Sequence, residues 1–218
     1  MTKSLDGPTI IPGKKSKIEN ALIFLHGYGA NGNDLINIAN HWKNDLKNTL
    51  FLSPNAPFPC EWGGESYQWF DLTSISPENI GNGLEKAGPF LNNYIESLKK
   101  KYSLEDKNIF FLGFSQGSMM AMYHLCKRDK GCGGLIAYSG LLYENQAFDL
   151  DVVSRFPIRI YHGKNDEVIH HENSIKAFKK FQSLGFDVEY FIQEDLGHGI
   201  DDYGLDFGLN FLKKTINI

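Results

Sequence analysis

The chain has 218 residues, of which 42% are hydrophobic, 13% aromatic and 22% charged, a composition that excludes disordered, collagen-like and coiled-coil classes and can supply one sizeable core. Its 22 Lys and Arg against 26 Asp and Glu give a formal net charge of -4, the wrong balance for a dedicated nucleic-acid binder, which needs a basic stripe to neutralise phosphates. The apolar runs, such as 21–25, fall far short of the ~18 residues that span a bilayer, which argues against integral membrane insertion.

In chain order, an apolar run over 21–25 reads as a strand and is followed by helical periodicity over 34–46 and a second strand at 49–53. Residues 54–77 lack periodicity and are rich in Pro, Gly, Trp and Phe, the mark of a covering or functional loop. A helix is expected over 79–101, with a kink or break at Gly88-Pro89. Further strands at 108–112, 134–138, 158–161 and 188–192 alternate with helices at 116–126, 172–184 and 203–215. Nearly every residue of these strands is apolar, as in strands buried on both faces. The alternation therefore predicts an α/β fold, a mostly parallel central sheet flanked by helices. No repeat or linker divides the chain, so one domain over 1–218 is expected. Asp6, Gly7, Pro8 and Pro12 interrupt the apolar stretch a signal peptide needs. Cys60, Cys126 and Cys132 are odd in number and lack CxxC spacing, so reduced thiols in a cytoplasmic protein are expected.

Gly113-Phe114-Ser115-Gln116-Gly117 matches G-x-S-x-G. The bare pentad is a weak signal, but a strand before it and a helix after it make it a strong one, because a sharp turn there lifts the serine hydroxyl above the sheet edge. A serine at its ordinary pKa is a poor nucleophile and needs a base oriented by a carboxylate. Asp166, after the strand at 158–161, and His198, after the strand at 188–192, supply both in the order Ser, Asp, His. The other histidines have plainer readings: His41 and His124 fall in helices, His170 and His171 open one, and His26 and His162 sit at strand ends where an imidazole bonds nearby backbone. Asp195 competes with Asp166 as the orienting acid but follows a different strand. The developing oxyanion needs two preorganised N–H donors. One is the backbone N–H of Gln116; the other is assigned to Tyr28 in the Gly-rich segment 25–34, which matches neither phosphate-binding glycine motif. Of the loop residues Trp69, Phe70, Leu72 and Ile75, each either caps the sheet edge as part of the core or, with Leu141 and Leu142, borders an apolar groove for the acyl chain.

These residues fall in blocks. LHGYGANGNDL (25–35), SPNAP (53–57), WFD (69–71), GFSQGSMMA (113–121), Ser139-Gly140, HGKNDEVI (162–169) and GHGI (197–200) resemble, in order, the blocks of the phospholipase/carboxylesterase family, which includes acyl-protein thioesterases and small bacterial carboxylesterases. The resemblance implies a compact α/β-hydrolase fold without a large cap domain, Ser115, Asp166 and His198 as triad, Tyr28 and Gln116 as oxyanion donors, and an acyl channel lined by the loops named above. Ser118 replaces the glycine often found after S-Q-G and Ala30 the aspartate of the eukaryotic thioesterase loop, departures that lean toward the bacterial carboxylesterase branch. The reading is a serine hydrolase needing no metal or cofactor, acting on carboxylic esters and extending to thioesters or lysophospholipids. Depalmitoylation or lysophospholipid hydrolysis as the main activity is the alternative, and an inactive hydrolase fold used as a binding module is the alternative of another class. Metal-dependent hydrolysis by His170, His171 and Asp166 fits poorly, because adjacent histidines point in different directions. The partner expected is a small or lipid-like acyl ester; a homodimer is left open.

Overall fold

The computed structural model describes residues 4–13, 17–72 and 76–216. In chain order the strands are β1 (Thr9–Ile10), β2 (Asn20–Leu25), β3 (Thr49–Leu52), β4 (Phe58–Pro59), β5 (Tyr67–Gln68), β6 (Ile109–Phe114), β7 (Gly134–Tyr138), β8 (Ile158–Gly163) and β9 (Val188–Gln193). The helices are α1 (Gly32–Ile36), α2 (Ile38–Trp42), α3 (Pro77–Tyr102), α4 (Gln116–Leu125), α5 (Phe148–Asp151), α6 (Glu172–Ser183) and α7 (Asp202–Ile216). The main sheet has the order β1-β3-β2-β6-β7-β8-β9, and every neighbouring pair is parallel except β1 with β3.

The apolar runs explain the layers. Ala21, Ile23 and Leu25 pack on one face of the sheet with Leu84, Leu91 and Ile95 of α3, Met120 of α4 and Phe181 of α6. Leu22 and Phe24, the intervening residues, pack on the other face with Leu35, Trp42, Phe211 and Leu212. Side chains alternate across a strand, so a sheet covered on both sides needs an apolar residue at every position. No helix among the described residues is long and apolar enough to cross a membrane.

Three elements differ from the sequence expectation. α3 runs unbroken through Pro89. Pro89 is exposed, so water can solvate the carbonyl whose bond the proline removes. Ala87, Gly88 and Leu91 meanwhile stay buried, and a Cβ on Gly88 would lie 2.6 Å from the His124 ring. The helix expected over 34–46 is two short ones joined at Asn37. It starts early, at Gly32, capped by the Asn31 side chain, because only glycine fits there: a Cβ would sit 1.9 Å from Ser53 O. The loop over 54–77 contains the β4–β5 hairpin, which pairs Phe58 with Gln68 and Pro59 with Tyr67.

Candidate active site

Parallel strands all end on one side of the sheet, and β2, β6, β7, β8 and β9 deliver five loops to that edge. The turn between β6 and α4 places Ser115 at φ 53°, ψ -116°, a conformation that costs a non-glycine residue about 1–3 kcal/mol and must be held by its surroundings. Its N–H donates to Tyr138 O at 2.9 Å and its carbonyl accepts from Met119 N at 3.1 Å. The motif glycines are sterically obligatory: a Cβ on Gly113 would lie 2.6 Å from the Ser118 backbone, and one on Gly117 would lie 1.9 Å from Leu25 O. Ser118 is fully buried, with its hydroxyl within reach of Gly113 O (2.6 Å) and Tyr138 O (2.7 Å). The serine at this departure point therefore ties the elbow to the adjacent strand.

The elbow meets His198 and, through it, Asp166. Ser115 Oγ lies 3.0 Å from His198 Nε2, and His198 Nδ1 lies 2.6 Å from Asp166 Oδ2. A carboxylate only accepts, so Nδ1 carries the proton and the lone pair of Nε2 faces the hydroxyl. Asp166 Oδ1 accepts the N–H groups of Val168 and Ile169, both at 2.8 Å. Burial favours the neutral acid, but the bonds from His198, Ile169 and Val168 outweigh it and hold the Asp166 pKa below the ordinary carboxylate value. The acid and histidine loops are laced together by Lys164 N to Gln193 O (2.7 Å) and Asn165 N to Leu196 O (2.9 Å). Gly163 permits this approach, since a Cβ there would lie 2.3 Å from the carbonyls of Leu196 and Gly197. The Phe114 ring packs against His198 with centroids 5.0 Å apart.

The other flank comes from the loop after β2. Gly27 lies against Ser115, its Cβ position 3.5 Å from Ser115 Cβ. The next N–H groups are committed, Gly29 to Tyr67 O (2.9 Å) and Ala30 to Gly27 O (3.4 Å), whereas that of Tyr28 meets no acceptor among the described residues. The N–H of Gln116 opens α4, where no intrahelical acceptor exists. The two groups expected to donate to an oxyanion are thus unspent beside Ser115.

Sequence reasoning missed what holds this flank. The Gln116 side chain accepts from Trp69 N (2.8 Å) and donates to Phe70 O (2.7 Å). Trp69 Nε1 donates to His26 O (3.0 Å). The His26 ring donates from Nδ1 to Gly27 O (2.7 Å) and accepts Ala56 N at Nε2 (2.9 Å), and burial pushes its pKa down to about 4. Its backbone-bonding reading holds.

For His162 that reading is incomplete, because its Nε2 also reaches Asp166 Oδ2 at 3.0 Å. The carboxylate is shared with His162 and His198, not with His170 or His171. Trp69 and Phe70 are 0% and 1% exposed and pack within the core, where one of the two readings of these residues puts them. Leu72, Leu141 and Leu142 are half-buried against the same core, and Ile75 lies outside the described residues.

Among the described residues, a seven-stranded, mostly parallel sheet flanked by helices, with a strained strand-to-helix elbow and no large cap, defines an α/β hydrolase. The chain belongs to the phospholipase/carboxylesterase family, whose model matches residues 6–216. It is similar to the crystal structure of esterase PE8, at 31% identity and a TM-score of 0.92 over 98% of this chain and 100% of that one. Acyl-protein thioesterase 1 homolog 1 of Dictyostelium discoideum is 27% identical over 89% of this chain and 90% of its own length. Esterase YpfH of Escherichia coli is 24% identical over 95% of this chain and 88% of its own. The protein is a carboxylic ester hydrolase.

Proposed function

We propose that Ser115 is the nucleophile of a Ser-His-Asp triad that hydrolyses acyl esters through an acyl-enzyme. The observation that carries this is the continuous path from Ser115 Oγ through both nitrogens of His198 to Asp166 Oδ2. His198 Nε2 takes the hydroxyl proton as Ser115 Oγ bonds to the acyl carbon, and Asp166 stabilises the imidazolium. The carbonyl oxygen becomes an oxyanion received by the N–H groups of Tyr28 and Gln116. Nε2–H then protonates the departing alcohol, and water repeats the cycle to release the acid and restore the serine. The serine-before-acid-before-histidine order and the two unspent N–H groups support this assignment.

The acyl chain is assigned to the half-buried surface of Leu72, Leu141 and Leu142, with the buried Trp69 and Phe70 as backing. Small acyl esters are the assigned substrates, with thioesters the first extension, since the thioesterase named above is a relative. A reducing, cytoplasmic setting is proposed from the odd number and the spacing of Cys60, Cys126 and Cys132. A panel of p-nitrophenyl esters of rising chain length, with a matched thioester and a lysophospholipid, tests the reading. Each buried CH₂ is worth ~0.8 kcal/mol, so kcat/KM should climb about threefold to fourfold per carbon until the surface is covered. Leu72→Asp should flatten that climb and spare the acetyl ester; a folded variant with the wild-type chain-length profile would place the acyl surface elsewhere.

A further inference from the structure

The hydrogen-bonded path does not end at Asp166. His162, near the end of β8, is fully buried, and its Nε2 faces two acceptors, Asp166 Oδ2 at 3.0 Å and Ile169 O at 2.8 Å. Nε2 must therefore carry a proton. Nδ1 lies 2.6 Å from the hydroxyl of Ser174 on α6, which is itself 3.5 Å from Gly140 O. In the neutral ring Nδ1 accepts the Ser174 proton. Burial favours that neutral ring and lowers its pKa, against the opposing pull of Ile169 O and Asp166. One carboxylate oxygen thus serves two imidazoles, His198 at 2.6 Å and His162 at 3.0 Å.

We propose that His162 is a positioning residue for hydrolysis: its Nε2–H fixes Asp166 Oδ2 in line with His198 Nδ1 and shares with His198 the one carboxylate oxygen that both imidazoles meet. The inference rests on the proposed triad. The first part follows from geometry. The N–H groups of Val168 and Ile169 hold Oδ1, and the donor from β8 adds a fixed partner at Oδ2, so that a rotation about the Cβ–Cγ bond that carried Oδ2 out of line with His198 would strain bonds at both oxygens. The second acts through charge. A donor on Oδ2 withdraws electron density from the oxygen that stabilises the imidazolium, and a carboxylate relieved of it favours the protonated His198 more strongly. The groups meeting this chain are Ser174 from α6, Gly140 O after β7, Asp166 and Ile169 O from the acid loop, His198 with the Phe114 ring against it, and Ser115 from the elbow. Of these only Asp166 and the two histidines carry ionisable side chains.

The test is the pH profile of kcat/KM for p-nitrophenyl acetate in wild type, His162→Leu, His162→Gln and Ser174→Ala. His162→Leu removes the donor and should raise the kinetic pKa by about half a unit to one unit and lower the plateau roughly tenfold through the loosened carboxylate. His162→Gln, whose amide N–H can reach the place of Nε2–H, should restore both. Ser174→Ala weakens His162 as a donor and should move the pKa the same way by less; it decides the matter if the leucine variant does not fold. Folded variants that keep the wild-type profile, or a glutamine variant displaced as far as the leucine one, would overturn the role. Fluorophosphonate labelling separates the two readings. Wild type that fails to label at Ser115 sinks the triad itself, whereas labelled enzyme with unmoved variant profiles sinks only His162.

Discussion

The two flanks of the Ser115 elbow are built by different means. On the acid and histidine side, Asp166 and His198 sit in loops that leave neighbouring parallel strands, β8 and β9, whose ladder from Ile158 with Val188 to Gly163 with Gln193 fixes where each loop begins. On the oxyanion side, the loop after β2 is positioned by His26, Trp69 and Gln116, which bond partners 30 to 47 residues away in sequence. Backbone pairing sets the first flank and buried side chains set the second. The first should therefore tolerate loss of a site side chain without loss of fold, and the second should not.

The largest expected effect sharpens that contrast. Asp166→Asn should lower kcat/KM by about 10³ to 10⁴, since an amide in place of the carboxylate spoils the His198 tautomer and the stabilisation of its cation. Its urea midpoint should fall by less than that of a variant in the buried clamp, because Oδ1 still accepts from Val168 and Ile169. Gln116→Leu should do the reverse. It keeps its own backbone N–H but leaves the buried Trp69 N–H and Phe70 carbonyl unpaired, at about 1–3 kcal/mol for each group. A urea midpoint equal to wild type, with activity lost, would break the comparison.

The smallest effect is on acid stability. The folded pKa of His26 is about 4 against 6.5 for an exposed histidine, so below pH 6.5 the unfolded chain takes up a proton that the folded one refuses. Stability therefore falls with pH, by roughly 3 kcal/mol between 6.5 and 4 from this residue, and His162 adds to the fall in the same direction. The depressed Asp166 acts lower down: its contribution is present above the ordinary carboxylate pKa and is lost as pH falls through the folded value. Urea unfolding at pH 7, 5.5 and 4.5 should show the slope, and His26→Asn should be less stable at pH 7 and flatter below it. Stability unchanged from pH 7 to 4.5 would contradict the assignment of a buried neutral ring.

The same contrast explains what could be read from the residues alone. The six core strands were legible to within two residues at their ends, because strands covered on both faces must be apolar throughout. The placing of Ser115, Asp166 and His198 at one sheet edge followed from strand order alone. The side-chain bridges were not legible. Nothing in the pattern around Gln116 says that its amide clamps a loop 46 residues back, and Trp69 and Phe70 left both a core and a groove reading open because a loop aromatic bears no mark of which way it faces. The reading of His162 is incomplete for a related reason: a strand-end histidine bonds what is nearby, and here that is both the Ile169 carbonyl at 2.8 Å and the site's own carboxylate at 3.0 Å. α3 hid its continuity because the sequence shows Pro89 but not that it faces solvent.

Mass spectrometry of the protein after treatment with an alkyl fluorophosphonate tests the central claim most directly. One phosphonyl group should be found on Ser115 and be absent from Ser115→Ala, which should stay folded and lose ester turnover. Modification at another residue, or a folded alanine variant that still labels and turns over ester at the wild-type rate, would contradict the assignment of Ser115 as the nucleophile.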